Sequence, residues 1–233
     1  MRPWSSIPIH ECREPLEPLP DSLFRLEPHP YVAVGAPYGA NGDPFRLRST
    51  VVQRLLKAEK GLIASEPALR LSIFDAWRPI AVQAFMVEHT IAELCRERGV
   101  LPSHSQDYQQ VVADVGLFWA APSQDPATPP PHSTGAAVDL TLCDQQGMPL
   151  DMGGDIDAIG AISEPDHYAA RADDEGRLWH GRRQLLSAVM QQAGFQQHPN
   201  EWWHYSFGDQ LWAWRSGAAS AIYAEAARSA LTS

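Results

Sequence analysis

The sequence predicts a globular domain built from both helices and short strands. Its 233 residues, 44% hydrophobic and 20% charged, suit one large domain or two small ones with a substantial core. Apolar residues recur at helical spacing in four segments, which are 51–62, 79–98, 105–118 and 182–193. Strands are favoured where β-forming residues alternate or cluster, in segments 31–38, 69–75, 138–142 and 200–207.

The two ends of the chain differ in composition from the region between them. Seven prolines interrupt residues 1–30, so this segment is expected to be an extended N-terminal arm that wraps the domain. Residues 31–217 hold the helical and strand patterns and are expected to form a single domain. The alanine-rich residues 218–233 predict a C-terminal helical tail.

Composition argues against several classes of protein and partner. A net charge of −10 disfavours nucleic acid or an anionic membrane as the main partner. Cys12, Cys95 and Cys143 are odd in number and lie outside any C-x-x-C pattern, which argues against a disulfide framework or a cysteine-based zinc site. Neither a signal peptide nor a run approaching ~20 apolar residues is recognisable, so a cytoplasmic protein is expected.

The segment 131–142 combines a histidine and an aspartate in a way that suits a metal. In a strand over 138–142 the aliphatic side chains share one face, which leaves Asp139 on the other. Asp is disfavoured in strands, and its charge is rarely buried without a partner. Gly135 allows a tight turn that brings His132 over the same face. This is two-thirds of a zinc site, although two such residues at this spacing also occur by chance.

The aromatic segment 200–207 supplies a third ligand candidate. As a strand it would direct Trp202, His204 and Ser206 to one face. Glu201 would then stand at the mouth of the strand, over the open position of the metal. The other histidines lack a paired context and are expected to be structural or at the surface; they are His10, His29, His89, His104, His167, His180 and His198.

Arg78 lies between the strand pattern of 69–75 and the helical pattern of 79–98. Pro79 fixes the local backbone, so the guanidinium can be directed reproducibly at an anion. A salt bridge to Asp75, or a surface position, is the alternative. The loop 120–131 contains five prolines and is expected to be either a wall or lid of the site or a surface excursion.

Together these residues match the requirements of a catalytic zinc site. Such zinc takes three protein ligands, here His132, Asp139 and His204, and leaves a fourth position for water. The ion lowers the pKa of that water to about 7, and a carboxylate that does not bind the metal, here Glu201, acts as general base and later protonates the leaving amine. Arg78 would stabilise the negative charge that develops on the carbonyl oxygen.

The motifs resemble a known family. The pattern His132-Ser133-x-Gly135-x-Ala137-x-Asp139 followed by Glu201-Trp202-Trp203-His204-Tyr205 is similar to that of the zinc D-Ala-D-Ala dipeptidases of the VanX type. These are relatives of the D,D-carboxypeptidases and of the LAS-type peptidoglycan peptidases. Further segments agree in order, namely Asp75-Ala76-Trp77-Arg78-Pro79, Asp139-Leu140-Thr141-Leu142, and Met152-Gly153 with Asp157. The similarity extends over about residues 30–210.

The resemblance implies an α+β fold in which a small antiparallel sheet, flanked by helices, carries one zinc ion per chain. Residues 31–217 would form a single zinc peptidase domain that hydrolyses D-alanyl-D-alanine, a small-molecule dipeptide, to two D-alanines. The resemblance assigns zinc-ligand roles to His132, Asp139 and His204. It also implies that Glu201 is the acid/base and Arg78 the transition-state stabiliser. It also assigns Asp157 to the substrate's ammonium group, with Tyr38 assisting, and Ser133 to substrate binding.

Two departures from the family pattern concern substrate contacts. Pro130 and Pro131 occupy positions before the first histidine where serines are common, and Ala76-Trp77 replaces a common Gly-Tyr. One alternative is therefore a D,D- or L,D-carboxypeptidase or endopeptidase that acts on longer peptidoglycan stem peptides. The other alternative is a non-catalytic zinc-binding protein, in which Glu201 and Arg78 would have no role. The sequence leaves the oligomeric state and the physiological role open.

Overall fold

A five-stranded sheet forms the centre of the molecule. The computed structural model describes residues 2–39 and 42–226. The strands are β1 (Leu16–Pro18), β2 (Phe24–Arg25), β3 (Arg46–Arg48), β4 (Leu69–Asp75), β5 (Ala137–Asp144), β6 (Gln196–Gln197) and β7 (His204–Ser206). The main sheet has the order β2-β4-β5-β7-β6, and β1 pairs with β3 in a separate ribbon. All neighbours are antiparallel except β2 and β4, which are parallel.

Helices flank this sheet, which confirms the predicted α+β class. They are α1 (Pro30–Ala33), α2 (Ser49–Ser65), α3 (Ile80–Arg98), α4 (Gln106–Phe118), α5 (Asp174–Gln192) and α6 (Gln210–Ser216), with 3₁₀ turns at Pro131–Thr134 and Ala161–Ser163. Within the described ranges, no helix has the length and apolar character needed to cross a membrane.

The pairing of β4 with β5 separates an aliphatic face from a polar one. Leu71 lies opposite Leu142 and Ile73 opposite Leu140, and these fully buried side chains belong to a core that includes buried residues of α2 and α5. A shift of register after Ile73 then places Asp75 opposite Asp139. The ends of β4 and β5 therefore hold two buried carboxylates close together.

A second apolar cluster packs around α3 and α4. It contains Val82 and Met86 of α3 and Val115 of α4, together with Tyr31, Tyr38 and Trp119. The cluster lies next to the polar ends of β4 and β5, because the guanidinium of Arg78 stacks on the rings of Tyr31 and Trp119, at 4.7 and 5.0 Å from their centroids.

Residues 2–29 contain the short strands β1 and β2, with turns and irregular segments between them. Part of this arm pairs with the other end of the described chain, where Ile9 and Ala221 form a parallel bridge and the Cys12 N–H donates to the Ile222 carbonyl at 3.0 Å. The predicted helical tail is wrong for residues 218–226, which are not helical. Hydrogen bonds to the arm and to the Gly208 carbonyl override the helical propensity of alanine there. Residues 227–233 lie outside the described part of the chain.

Two predicted strands differ from the structure. Segment 31–38 begins instead as the short helix α1, because Pro30 suits a first helical position and the His29 side chain accepts from the Val32 N–H. Segment 200–207 is a strand only over His204–Ser206. Glu201 consequently lies in the connection that precedes β7, not within a strand.

Candidate metal centre

Three acceptor atoms from separate elements converge at the polar ends of β5 and β7. His132 lies in the 3₁₀ turn before β5, whereas Asp139 and His204 are opposed in the β5–β7 ladder. His132 Nε2 is 3.2 Å from His204 Nδ1 and 3.2 Å from Asp139 Oδ2, and His204 Nδ1 is 3.0 Å from Asp139 Oδ1. All three side chains are buried. The structure thus brings together the three ligands predicted from sequence.

The hydrogen bonds around the two imidazoles direct a lone pair from each ring into this cluster. His132 Nδ1 donates to the Ala76 carbonyl at 2.7 Å, which leaves Nε2 as an acceptor. His204 Nε2 is 3.3 Å from the Ser206 hydroxyl, so that Nδ1 faces the cluster. Partners of this kind fix the tautomer of metal-binding histidines.

The donor set fits a cation. Asp139 Oδ1 is buried and has no hydrogen-bond partner among the described residues. Burial raises the pKa of Asp139, but His132 and His204 lower it by more, so the carboxyl stays ionised. Two ring nitrogens and a carboxylate oxygen that face one another are all able to donate a lone pair to one cation. Two histidines and one carboxylate are a ligand set found in catalytic zinc sites.

The turn that carries His132 is held by backbone contacts. Gly135 has φ 71°, the left-handed conformation that glycine adopts without strain, and this confirms the role predicted for it. The Arg48 side chain donates to the Thr134 carbonyl at 2.8 Å, and the Arg78 N–H donates to the His132 carbonyl at 3.2 Å. The Ser133 hydroxyl donates to the Pro130 carbonyl at 2.7 Å. The structure therefore places Ser133, predicted to bind substrate, in a structural contact.

Glu201 lies beside the three convergent side chains without belonging to them. Its Oε2 is 3.7 Å from His204 Nδ1, and its Oε1 is 3.4 Å from His198 Nδ1. Burial, and secondarily the charge of Asp139, raises the pKa of Glu201 to about 8. A bound cation would oppose this shift. A carboxyl whose pKa lies near neutrality can both accept and return a proton.

Arg78 is buried in a network of hydrogen bonds and also lines the cavity over the metal ligands. Nε donates to Asp75 at 2.9 Å, Nη1 to Gln83 at 3.0 Å, and Nη2 lies 3.2 Å from Asp139. The salt bridge to Asp75, considered as an alternative to a site role, therefore coexists with a position at the site. The loop 120–131 is a wall of the same cavity, since its two end residues line it.

The structure separates the two residues predicted to hold the substrate's ammonium group. Asp157 lines the cavity and accepts a hydrogen bond from the Tyr31 hydroxyl at 2.7 Å. The same hydroxyl accepts from Arg78 Nη2 at 3.0 Å. The Tyr38 hydroxyl instead donates to Asp75 at 3.0 Å. Tyr31, which the sequence analysis did not single out, thus occupies the position expected of Tyr38.

Comparison with known proteins places this geometry in a family. Residues 25–223 match the sequence profile of peptidase M15, described as D-Ala-D-Ala dipeptidase. The chain belongs to this family. The match confirms the resemblance drawn from the motifs, and with it the assignment of the chain as a metallopeptidase.

The chain is also similar to individual proteins. A D-alanyl-D-alanine dipeptidase of Synechocystis sp. is 45% identical over 224 residues, which are 92% of this chain and 90% of the relative. One from Escherichia coli is 33% identical over 144 residues, or 61% and 58% of the two chains. Among solved structures, a mutant of the vancomycin-resistance D,D-pentapeptidase VanY with Zn(II) covers 88% of each chain at 16% identity and a TM-score of 0.46.

Besides Tyr31, two further residues at the M15 site were missed by sequence reasoning. His198, expected to be structural or at the surface, is buried against Glu201 and lines the cavity. Arg2 of the N-terminal arm also lines the cavity, and its Nη1 donates to His198 Nε2 at 3.1 Å. His198 carried a weak signal, since it precedes the Glu201 motif by only a few residues. No local pattern marked Arg2, whose position depends on the path of the arm.

Proposed function

We propose that this chain is a zinc-dependent dipeptidase that hydrolyses D-alanyl-D-alanine to two D-alanines. The observation that carries the proposal is the convergence of His132, Asp139 and His204 beside Glu201, a buried carboxylate outside that set. The family match over residues 25–223 and the 45% identical relative of that name support the substrate.

One zinc ion per chain would be held by His132 Nε2, His204 Nδ1 and the carboxylate of Asp139. Zinc in such a set activates water and polarises a carbonyl group. The protein contributes the orientation of its ligands, because Ala76 and Ser206 fix the two imidazole rings.

Glu201 is the proposed proton carrier. Its carboxyl lies beside His204 and faces the cavity, so it is within reach of a water molecule at the open side of the ligand set. It accepts a proton as that water attacks the peptide carbonyl, and then gives the proton to the amine nitrogen of the leaving D-alanine. One proton is thus moved from the nucleophile to the leaving group, and the carboxylate is restored.

Arg78 and Asp157 are proposed to orient the other half of the substrate. Tyr31 joins them, since its hydroxyl bonds to both. An ammonium group at Asp157 would place the adjacent carbonyl toward Arg78, whose buried guanidinium can stabilise the oxyanion. Burial, followed by the charge of Asp139, raises the pKa of Asp157 to about 7. A cationic ammonium would favour its ionised form.

A cytoplasmic site of action is part of the proposal. The three cysteines are unpaired, and two of them are buried, which suits a reducing compartment. A free dipeptide is a soluble substrate that such an enzyme can meet there.

The proposal is tested by assaying purified protein with D-Ala-D-Ala, its N-acetylated form, and L-Ala-L-Ala, alongside metal analysis. We expect one zinc per chain, release of D-alanine from the free dipeptide, and loss of activity on chelation with recovery on adding zinc. The N-acetylated form should react slowly, because it presents no charge to Asp157. Comparable rates on both forms would favour a carboxypeptidase acting on longer stem peptides.

A further inference from the structure

Two cationic side chains line the cavity within the described part of the chain, and their surroundings differ. Arg78 is matched by two carboxylates, with Asp75 at 2.8 Å and Asp139 at 3.2 Å. Arg2 instead donates to two neutral acceptors, His198 Nε2 at 3.1 Å and the Phe118 carbonyl at 3.4 Å. The charge of Arg78 is therefore balanced locally, whereas Arg2 has no carboxylate in direct contact among the described residues.

The environment of Arg2 suits an incoming anion. Its guanidinium lies 5.5 Å from the Trp4 ring centroid and is half-buried. Burial lowers the pKa of Arg2, and the charge of Glu201 opposes this only in part. A partly desolvated guanidinium without an anionic partner gains more from a carboxylate than a solvated guanidinium does, and its planar donors match the two carboxylate oxygens.

Arg2 is connected to the leaving-group side of the reaction. His198 lies between Arg2 and Glu201, because its Nε2 is 3.1 Å from Arg2 Nη1 and its Nδ1 is 3.4 Å from Glu201 Oε1. Glu201 protonates the leaving amine in the proposed reaction. In a dipeptide only one carbon atom separates that amine nitrogen from the C-terminal carboxylate. The carboxylate must therefore lie close to the side chains that surround Glu201.

We propose that Arg2 binds the C-terminal carboxylate of the substrate and so makes the N-terminal arm part of the specificity site. This inference rests on the proposed dipeptidase function. Asp157 would bind the ammonium end and Arg2 the carboxylate end, so that a substrate bound by both has two residues.

Arg2 also lies on the boundary of a second, larger cavity. That outer cavity, about 640 Å³ in volume, shares Arg2, Ala120, Pro131 and His198 with the cavity over the metal ligands. A peptide extended at its C-terminus would have to pass Arg2 to reach the outer cavity. A carboxylate held by Arg2 ends the substrate at this boundary.

The test compares D-Ala-D-Ala with its C-terminal amide in the wild type and in R2Q, R2K and R13Q. Arg13 lies on the same arm, is exposed and is absent from the cavity wall, so R13Q is the matched control. For R2Q we expect KM for the free acid to rise about 10- to 100-fold, with kcat and hydrolysis of the amide little changed. R2K should be intermediate, because it keeps the charge without the paired donors.

The ratio of kcat/KM for the free acid to kcat/KM for the amide tests whether Arg2 binds the carboxylate. A wild-type ratio near one, or a wild-type ratio retained in R2Q, would overturn the role of Arg2. An equal loss on both substrates would also overturn it, since that result indicates a structural role. Zinc content and thermal unfolding are measured for each variant, and if R2Q does not fold, the ratio for R2K decides. If the wild type cleaves neither substrate, the dipeptidase function itself fails, and the role of Arg2 with it.

Discussion

Asp139 and His204 lie directly opposite each other in the ladder between β5 and β7, with Oδ1 and Nδ1 3.0 Å apart. Two of the three proposed ligands are therefore positioned by backbone pairing, not by flexible loops. His132 reaches them from the turn that leads into β5. A site built in this way is largely formed before metal binds, which favours high affinity.

Removing the charge of Asp139 should remove the metal. We expect D139N to hold little zinc and to lose D-Ala-D-Ala hydrolysis, because the amide is a poor ligand and leaves the two imidazoles without an anionic partner. Metal analysis of dialysed protein measures the effect. The matched control is D155N, an exposed aspartate outside the cavity wall, which should keep full zinc content. Stoichiometric zinc in D139N would contradict the ligand assignment.

The role of Glu201 in turnover should be separable from metal binding. E201Q is expected to retain zinc and lose turnover by a factor of about 10² or more, since an amide cannot accept the proton. Kinetics and metal content are measured on the same preparation. E164Q, at an exposed position, serves as the control. Normal turnover in E201Q would exclude the proposed proton transfer.

The two tyrosines near the site should behave differently. Y31F removes a hydroxyl that bonds both Asp157 and Arg78, so we expect KM for D-Ala-D-Ala to rise about tenfold. Y38F removes a bond to Asp75 and should chiefly lower thermal stability, by about 1 kcal/mol. Steady-state kinetics with thermal unfolding distinguish the two. A larger KM effect in Y38F would restore the assignment made from sequence.

Asp157 should make activity rise with pH. Burial raises its pKa to about 7, and it must be ionised to hold an ammonium group, so kcat/KM is expected to increase between pH 6 and 8. The pH profile of kcat/KM for wild type and D157N measures this. D157N should have low activity and lack this limb of the profile.

The raised pKa of Asp157 also affects stability, which should fall with rising pH whereas activity should rise. The pKa in the folded protein is about 7, above the value of about 3.9 for an unfolded aspartate, so the folded state holds a proton that the unfolded state has lost. The free energy of unfolding should therefore fall as pH rises from about 4 to 7. In metal-free protein at pH 8, D157N should be more stable than wild type by about 1–3 kcal/mol. An unchanged melting temperature in D157N would show that ionised Asp157 does not destabilise the fold.

Asp75 is expected to act as a positioning residue. Its carboxylate accepts from Arg78 and Tyr38 and lies 3.0 Å from His29 and 3.4 Å from His132. Burial raises the pKa of Asp75, but the charge of Arg78, followed by His29 and His132, has the larger effect and lowers this pKa to about 2. D75N should destabilise the fold by about 3 kcal/mol, because Arg78 loses one of its two buried counter-charges. Denaturant unfolding measures this, and zinc content should fall less than in D139N.

The parts of the site that sequence could predict are those fixed by strand periodicity. Asp139 interrupts an aliphatic strand, and its position on the opposite face from Leu140 follows from the two-residue repeat. His204 and Glu201 stand in an aromatic segment that the family motif marks. The strands predicted over 69–75 and 138–142 were confirmed, as were the helices predicted over 51–62, 79–98 and 105–118, because the apolar pattern of each agrees with its burial. The helix predicted over 182–193 is present but begins earlier, at Asp174.

The remaining parts depend on how distant segments pack. Tyr31 and Tyr38 are both near the site, and it is the hydroxyl of Tyr31, in the short helix that begins at Pro30, that reaches Asp157. His198 lies beside the site because its N–H pairs with the His204 carbonyl, at 2.9 Å. The C-terminal segment has helical composition, yet its backbone bonds to the arm. Local propensity cannot report such competition.

The positions of the site residues along the chain have consequences for biosynthesis and for handling of the protein. A nascent chain that has emerged through β5 carries two of the metal-binding side chains, and the third follows only after some sixty further residues, so catalytic competence arises late in translation. Because Arg2 lines the cavity over the metal ligands, an affinity tag fused ahead of it would lie close to that cavity.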